Sequence, residues 1–107
     1  MSTTTTTNMV MVPLAQQAAQ VLKVALSGVV VQIALRQRST GLYAEFWQNA
    51  TRSLSGVLCQ DRTWLVRSKA LGLPGDFCFI DTQGTQDPTY TALGSRYLLL
   101  YRAGWPA

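Results

Sequence analysis

Three aspartates in the second half of the chain, Asp76, Asp81 and Asp87, are the side chains most able to form a general acid and base pair. The sequence contains no histidine, which is the commonest general base and the usual partner of a nucleophilic Ser or Cys. Each aspartate also suits a structural role. Asp76 fits a turn, Asp81 can form an ion pair with Arg96, and Asp87 can cap a short helix. The pattern therefore favours a protein that is not an enzyme.

The two cysteines, Cys59 and Cys78, each lie within an apolar run typical of a strand. We expect them to be buried free thiols rather than a disulfide. Two cysteines without any histidine cannot build a tetrahedral metal site. The glycines match neither a phosphate-binding loop nor the GxGxxG pattern, and turn chemistry explains them. The sequence thus predicts no metal and no cofactor.

Alternating apolar residues separated by short turns fill the first half of the chain. Every second residue of the segment 22–26 is apolar, and the alternation resumes over 29–38 after the Ser27-Gly28 turn. Thr40-Gly41 then reverses the chain into a third alternating segment, 42–48. The next turn follows at "NATR". These segments predict a meander of antiparallel strands.

Further strands follow in the second half, at "LSGVLCQ", "DFCFIDT" and "SRYLLLY", with "TWLVR" as another strand or a bulged continuation. Between the last two strands, Asp87, Pro88 and Gly94 are placed to start and stop a short helix. The predicted fold class is all-β, a small antiparallel sandwich or barrel of about six or seven strands with one short helix.

The 107-residue length suits a single domain. Residues 1–8, "MSTTTTTN", are polar and of low complexity, so we predict a disordered Thr-rich arm followed by one β domain over 9–107. We expect no membrane segment and no secretory signal. Hydrophobic residues make up 48% of the chain and charged residues only 13%, about half the usual share of roughly 25%. So low a share of charged residues predicts that part of the apolar surface is buried against other subunits in an assembly.

A nucleic-acid function is the alternative that the residues leave open. The formal net charge is +4, and aromatic residues such as Trp47 and Trp64 occur near arginines. This combination could serve a single-stranded nucleic-acid-binding, OB-like barrel that stacks bases. The basic residues are scattered along the chain rather than clustered, which disfavours that interpretation.

Three blocks of the sequence, taken in order, resemble the baseplate plug family of contractile-tailed bacteriophages. They are "VQIALRQRSTGLYAEFW", "SGVLCQDRTWLVR" and "LPGDFCFIDTQGTQDPTYTALGSRYLLLY". The resemblance spans about residues 13 to 101, and its most specific part is the block from Asp81 to Tyr101. The turn at "NATRS" and the polar N-terminus depart from the family pattern.

This resemblance implies a non-catalytic structural protein of the virion, located in the tail baseplate near the junction of tail tube and central hub. The implied partners are other baseplate proteins, namely tube, hub, wedge or sheath-initiator subunits. It implies assembly in the bacterial host cytoplasm, and we expect a homo-oligomer in the virion.

A subunit of such an assembly can use a strand that is apolar on both faces, as the segment 97–101 is. We predict that Tyr97, Leu99 and Tyr101 face the core. The residues predicted to form the protein interface are Arg96, Leu98, Leu100, Arg102 and Trp105. The alternative is that all of these are core residues of a closed barrel, with the arginine heads reaching solvent.

Overall fold

A computed structural model describes residues 9–105 of the chain. Its strands form two sheets, one with the order β1-β7-β6 and the other with the order β2-β3-β4-β5. The strands are β1 (Met9–Val12), β2 (Ala19–Leu26), β3 (Val29–Arg38), β4 (Gly41–Gln48), β5 (Thr51–Leu58), β6 (Gly75–Asp81) and β7 (Tyr97–Ala103). The fold is a small β sandwich that is mostly antiparallel, which confirms the all-β prediction and selects the sandwich over the barrel. The predicted arm, residues 1–8, lies outside the described residues.

The four-stranded sheet is the meander that the alternation predicts. The β2–β3 turn places Ser27 at φ 52° and Gly28 at φ 77°, and the β4–β5 turn places Asn49 at φ 49° and Ala50 at φ 69°. Two successive residues with positive φ match the twist of a hairpin. Each turn therefore joins two neighbouring antiparallel strands directly.

The three-stranded sheet joins strands that are far apart in the sequence. β7 lies in the middle, with β1 and β6 antiparallel on either side. The segment 61–66 runs along the free side of β6, where Arg62 N donates to Phe79 O at 2.8 Å and Leu65 N donates to Phe77 O at 2.9 Å. It forms only isolated bridges, so "TWLVR" is an irregular edge rather than a full strand.

The core lies between the two sheets and is centred on aromatic rings. The Phe77 ring lies 4.7 Å from the Phe46 ring and 5.1 Å from the Tyr101 ring, measured between centroids. The Tyr101 hydroxyl forms a hydrogen bond of 2.8 Å with Ser27 Oγ at the β2–β3 turn. Tilted aromatic pairs add to the stability that apolar burial provides. These contacts hold the two sheets in a fixed orientation.

The predicted short helix is present as a single 3₁₀ turn, but its cap differs from the prediction. The structure has a three-residue 3₁₀ helix, Tyr90–Ala92, and its N-cap residue is Thr89 rather than Asp87. The Asp87 carboxylate instead accepts a hydrogen bond from the Asp61 N–H at 2.9 Å. A second 3₁₀ helix covers Lys69–Leu71. Among the described residues, no helix is long and apolar enough to cross a membrane.

Candidate protein-interaction surface

The three-stranded sheet has an apolar outer face, directed away from the core. Leu98 of β7 lies opposite Ile80, and Leu100 lies opposite both Cys78 and Met11, which places their side chains on the same face. We call this surface the β7 face; it consists of Met9, Met11, Cys78, Ile80, Leu98 and Leu100. Its residues come from all three strands, so a continuous apolar surface forms only when the sheet is complete.

The two sides of β7 differ in burial. Tyr97, Leu99 and Tyr101 are buried in the core, as predicted, whereas Leu98 and Leu100 are only partly buried. Met11 is 56% exposed. Residues 9–105 contain two sheets and two three-residue helices, so no third layer of secondary structure covers the β7 face in this part of the chain. Partly exposed leucines beside an exposed methionine are the composition expected of a contact surface.

A hollow of about 340 Å³ lies at one end of the β7 face, lined by Trp64, Arg67, Asp76, Arg102 and Trp105. The guanidinium of Arg102 lies 4.1 Å from the centroid of the Trp64 ring, which is cation–π geometry. Trp105 Nε1 donates to Leu73 O at 2.9 Å, which fixes the indole at the wall. The structure thus brings Arg102 and Trp105, both predicted interface residues, into one hollow. Sequence reasoning did not place Trp64 beside them.

Arg96 is separated from the other predicted interface residues. Its Nε donates to Asp81 Oδ1 at 2.8 Å and a terminal nitrogen donates to Oδ2 at 2.9 Å, so the predicted ion pair with Asp81 is confirmed. The Asp81 carboxylate also accepts the backbone N–H groups of Gln83 and Gln86. The bond to Arg96 first, and these N–H groups next, hold the pKa of Asp81 well below its usual range. Arg96 therefore fixes the loop after β6.

The lowered pKa of Asp81 predicts an acid-sensitive contribution to stability. Because the carboxylate is favoured in the folded state, its contribution is complete above the ordinary aspartate pKa of 3.8 and is lost as the pH falls below that value. We expect Asp81→Asn to lower the melting temperature at pH 7, with the difference from wild type shrinking toward pH 2. Thermal melts of both proteins from pH 7 to pH 2 measure this. A difference that stays constant over that range would contradict it.

Asp76, predicted from the sequence as a turn residue, has a larger structural role. It is buried in β6, and its carboxylate accepts the N–H groups of Val66 at 2.8 Å, Arg67 at 2.9 Å and Phe77 at 2.7 Å. Asp61 similarly accepts the N–H of Asp81. Buried carboxylates that accept several backbone N–H groups fix irregular chain segments. The aspartates thus tie the segment 61–67 to β6.

Both cysteines are free and buried, as predicted. Burial raises the pKa of the Cys59 thiol to about 12. Burial, with smaller contributions from Asp61 and Asp76, also raises the pKa of Cys78. Because the thiolate is the reactive form, both thiols are poor nucleophiles at neutral pH. Residues 9–105 contain no cluster of three His, Cys, Asp or Glu side chains that could hold a metal ion.

The two tryptophans that motivated the nucleic-acid alternative lie on different sheets. Trp47 belongs to β4 and lies 5.8 Å from the guanidinium carbon of Arg52, whereas Trp64 lies beside β6. A base-stacking groove needs its aromatic side chains along one path. The structure does not bring these two rings together.

The fold and its surfaces define the class of protein, a small β sandwich with a partly exposed apolar sheet face. Comparison with known families is more specific. A family model described as cyanophage baseplate Pam3 plug gp18 matches residues 9–104. The chain belongs to this family of phage baseplate plugs, which confirms the resemblance noted in the sequence. No curated protein matches the chain. Membership gives the protein a structural role in the virion's tail baseplate, in contact with other baseplate components.

Proposed function

We propose that the protein is a non-catalytic structural subunit of a contractile-tail baseplate, assembled at the junction of tail tube and central hub. Its partners are tube, hub, wedge or sheath-initiator subunits, and several copies assemble into one virion in the host cytoplasm. The β7 face carries this proposal, since a baseplate subunit needs a surface to bury and this one has partly exposed Leu98 and Leu100.

The mechanism is assembly by burial of apolar surface. The β7 face provides the apolar centre of a contact, and the hollow with Arg102, Trp64 and Trp105 lies at its end. Arginine and tryptophan are enriched among the residues that dominate binding energy at protein interfaces. We therefore propose that Leu98, Leu100, Arg102 and Trp105 contact a neighbouring subunit, while Arg96 acts indirectly by holding the loop after β6.

The non-catalytic part of the proposal is supported by the state of the reactive groups. Asp76 and Asp81 are buried and already accept backbone or guanidinium hydrogens. Cys59 and Cys78 have raised pKa values. Each of these groups has a structural explanation that leaves it poorly placed to react with a substrate.

Deletion of the gene in the phage tests this function. We expect particles lacking the protein to have incomplete baseplates in electron micrographs, and a plasmid copy of the wild-type gene to restore them. Complete, infectious tails that contain no copy of the protein would overturn the proposal.

A further inference from the structure

The outer face of the four-stranded sheet carries two neighbouring arginines. Arg36 and Arg38 lie two positions apart in β3, so their side chains share one face of the sheet, and both are exposed. Arg36 lies opposite Tyr43 and Arg38 opposite Gly41 in the register with β4. A hollow of about 110 Å³ opens between the strands, lined by Ala34, Arg36, Arg38, Tyr43, Glu45 and Gly56. This face is distinct from the β7 face, which belongs to the other sheet.

These two arginines have no carboxylate partner within 4.0 Å among residues 9–105. The ion pairs in that range use Arg52, Arg62 and Arg96. Glu45 also lines the hollow, but its carboxylate is drawn toward Arg52, at 3.9 Å. The two Cα atoms are about 7 Å apart along the strand, so the two positive side chains share one region of the face. Like charges repel each other, and an anion placed between them relieves that repulsion.

A second copy of this chain exposes too few acidic side chains to provide the anion. All five acidic side chains of the sequence lie in the described part of the chain. Asp76 and Asp81 are buried, and the Asp61 side chain is 7% exposed and paired with Arg62. Of the other two, Glu45 lies on the basic face itself, and only Asp87 is exposed. One exposed acidic side chain per copy within residues 9–105 does not match two neighbouring arginines.

We propose that Arg36 and Arg38 dock an acidic surface of a different baseplate subunit, with an Asp or Glu side chain of that subunit entering the hollow. This inference rests on the proposed function and adds a second, electrostatic contact on the sheet opposite the β7 face. Paired arginines favour a carboxylate because the planar guanidinium can donate two parallel hydrogen bonds to it.

The surroundings of the hollow favour a protein partner over a nucleic acid. Val21 of β2 is 65% exposed and lies opposite Ala34 in the hollow wall. Exposed apolar surface beside arginines is typical of a protein interface.

Charge reversal in the phage tests the inference. We expect Arg36→Glu combined with Arg38→Glu to lower the infectious titre at least tenfold and to leave the melting temperature of the purified protein nearly unchanged, because both side chains are exposed. Lys69→Glu is the control variant, since Lys69 is an exposed cation elsewhere on the molecule, and it should keep the wild-type titre. Wild-type titre for the double variant would overturn the inference.

Suppressors of the double variant identify the partner. We expect second-site changes from Asp or Glu to Lys or Arg in the gene of another baseplate protein. Suppression by Asp87→Lys within this chain would show that a second copy is the partner, which contradicts the proposal.

Binding of a 12-nucleotide oligothymidylate to the wild type at low salt, lost in the double variant, would contradict the proposal in favour of a nucleic acid. If wild-type baseplates contain the protein and the double variant assembles normally, only this inference fails. If complete wild-type baseplates do not contain the protein, the proposed function itself is refuted.

Discussion

Leu98→Asp and Leu100→Asp are each expected to leave the purified protein folded and to stop its incorporation into baseplates. Both leucines are partly exposed on the β7 face, so a carboxylate at either position remains hydrated in the free subunit. In an assembled contact the same carboxylate is buried without a partner. That costs about 3 kcal/mol or more, or at least a hundredfold in affinity. Circular dichroism of the purified variants, and their recovery in purified tails, measure the two effects.

Leu99→Asp is the matched control for this experiment. Leu99 lies between the two leucines in sequence, but its side chain is directed into the core and is 0% exposed. The same substitution there should unfold the protein. If Leu98→Asp unfolds the protein as Leu99→Asp does, the assignment of the β7 face is wrong. If Leu98→Asp assembles normally, the face is not an interface.

Asp76→Ala has the largest expected effect on stability among the polar residues. The substitution leaves the N–H groups of Val66, Arg67 and Phe77 without their acceptor. A buried donor without a partner costs about 1–3 kcal/mol, so three of them should lower the free energy of unfolding by about 3 kcal/mol or more. Because a domain of this size is stable by about 5–15 kcal/mol, the variant should be severely destabilised.

Urea denaturation of two further variants separates this cause from a general loss of charge. Asp76→Asn keeps an amide oxygen that can accept two of the three N–H groups, and should cost clearly less than Asp76→Ala. Asp87→Ala removes one hydrogen bond from an exposed carboxylate and should cost about 1 kcal/mol. Equal midpoints for Asp76→Ala and the wild type would show that these hydrogen bonds do not anchor the segment 61–67.

The hairpins of the four-stranded sheet were predictable because their signals are local. Alternation over β2 and β3, with Ser27-Gly28 between them, specifies both the strands and the turn. The division of β7 into a core side and an outer side follows from the same two-residue period. Tyr97, Leu99 and Tyr101 were placed in the core on that basis, and they are buried.

The roles of the aspartates were not predictable from their neighbours in the sequence. Asp87 resembles a helix cap locally, yet its partner Asp61 lies 26 positions away. Asp76 accepts hydrogen bonds from residues 9 and 10 positions earlier, across an irregular segment whose path no periodic pattern specifies. Hydrogen bonds over such separations depend on how the sheets pack, so only the folded chain reveals them.

Only part of the candidate surface was predictable from the sequence. The rest depends on contacts between residues that are far apart in the chain. Leu98, Leu100 and Arg102 follow from the pattern of β7 alone. Met11 joins them only through the pairing of β1 with β7, and Trp64 only through its bridge to Cys78. Arg96 precedes β7 and pairs with Asp81, so the alternation of the strand does not apply to it.

A cryo-electron microscopy reconstruction of the intact tail end would show whether the β7 face is buried in the baseplate. We expect density for this β sandwich within the baseplate, with a neighbouring subunit packed on Leu98 and Leu100. A map in which that face is open to solvent in every copy, or in which the protein is absent from the tail, would contradict this expectation.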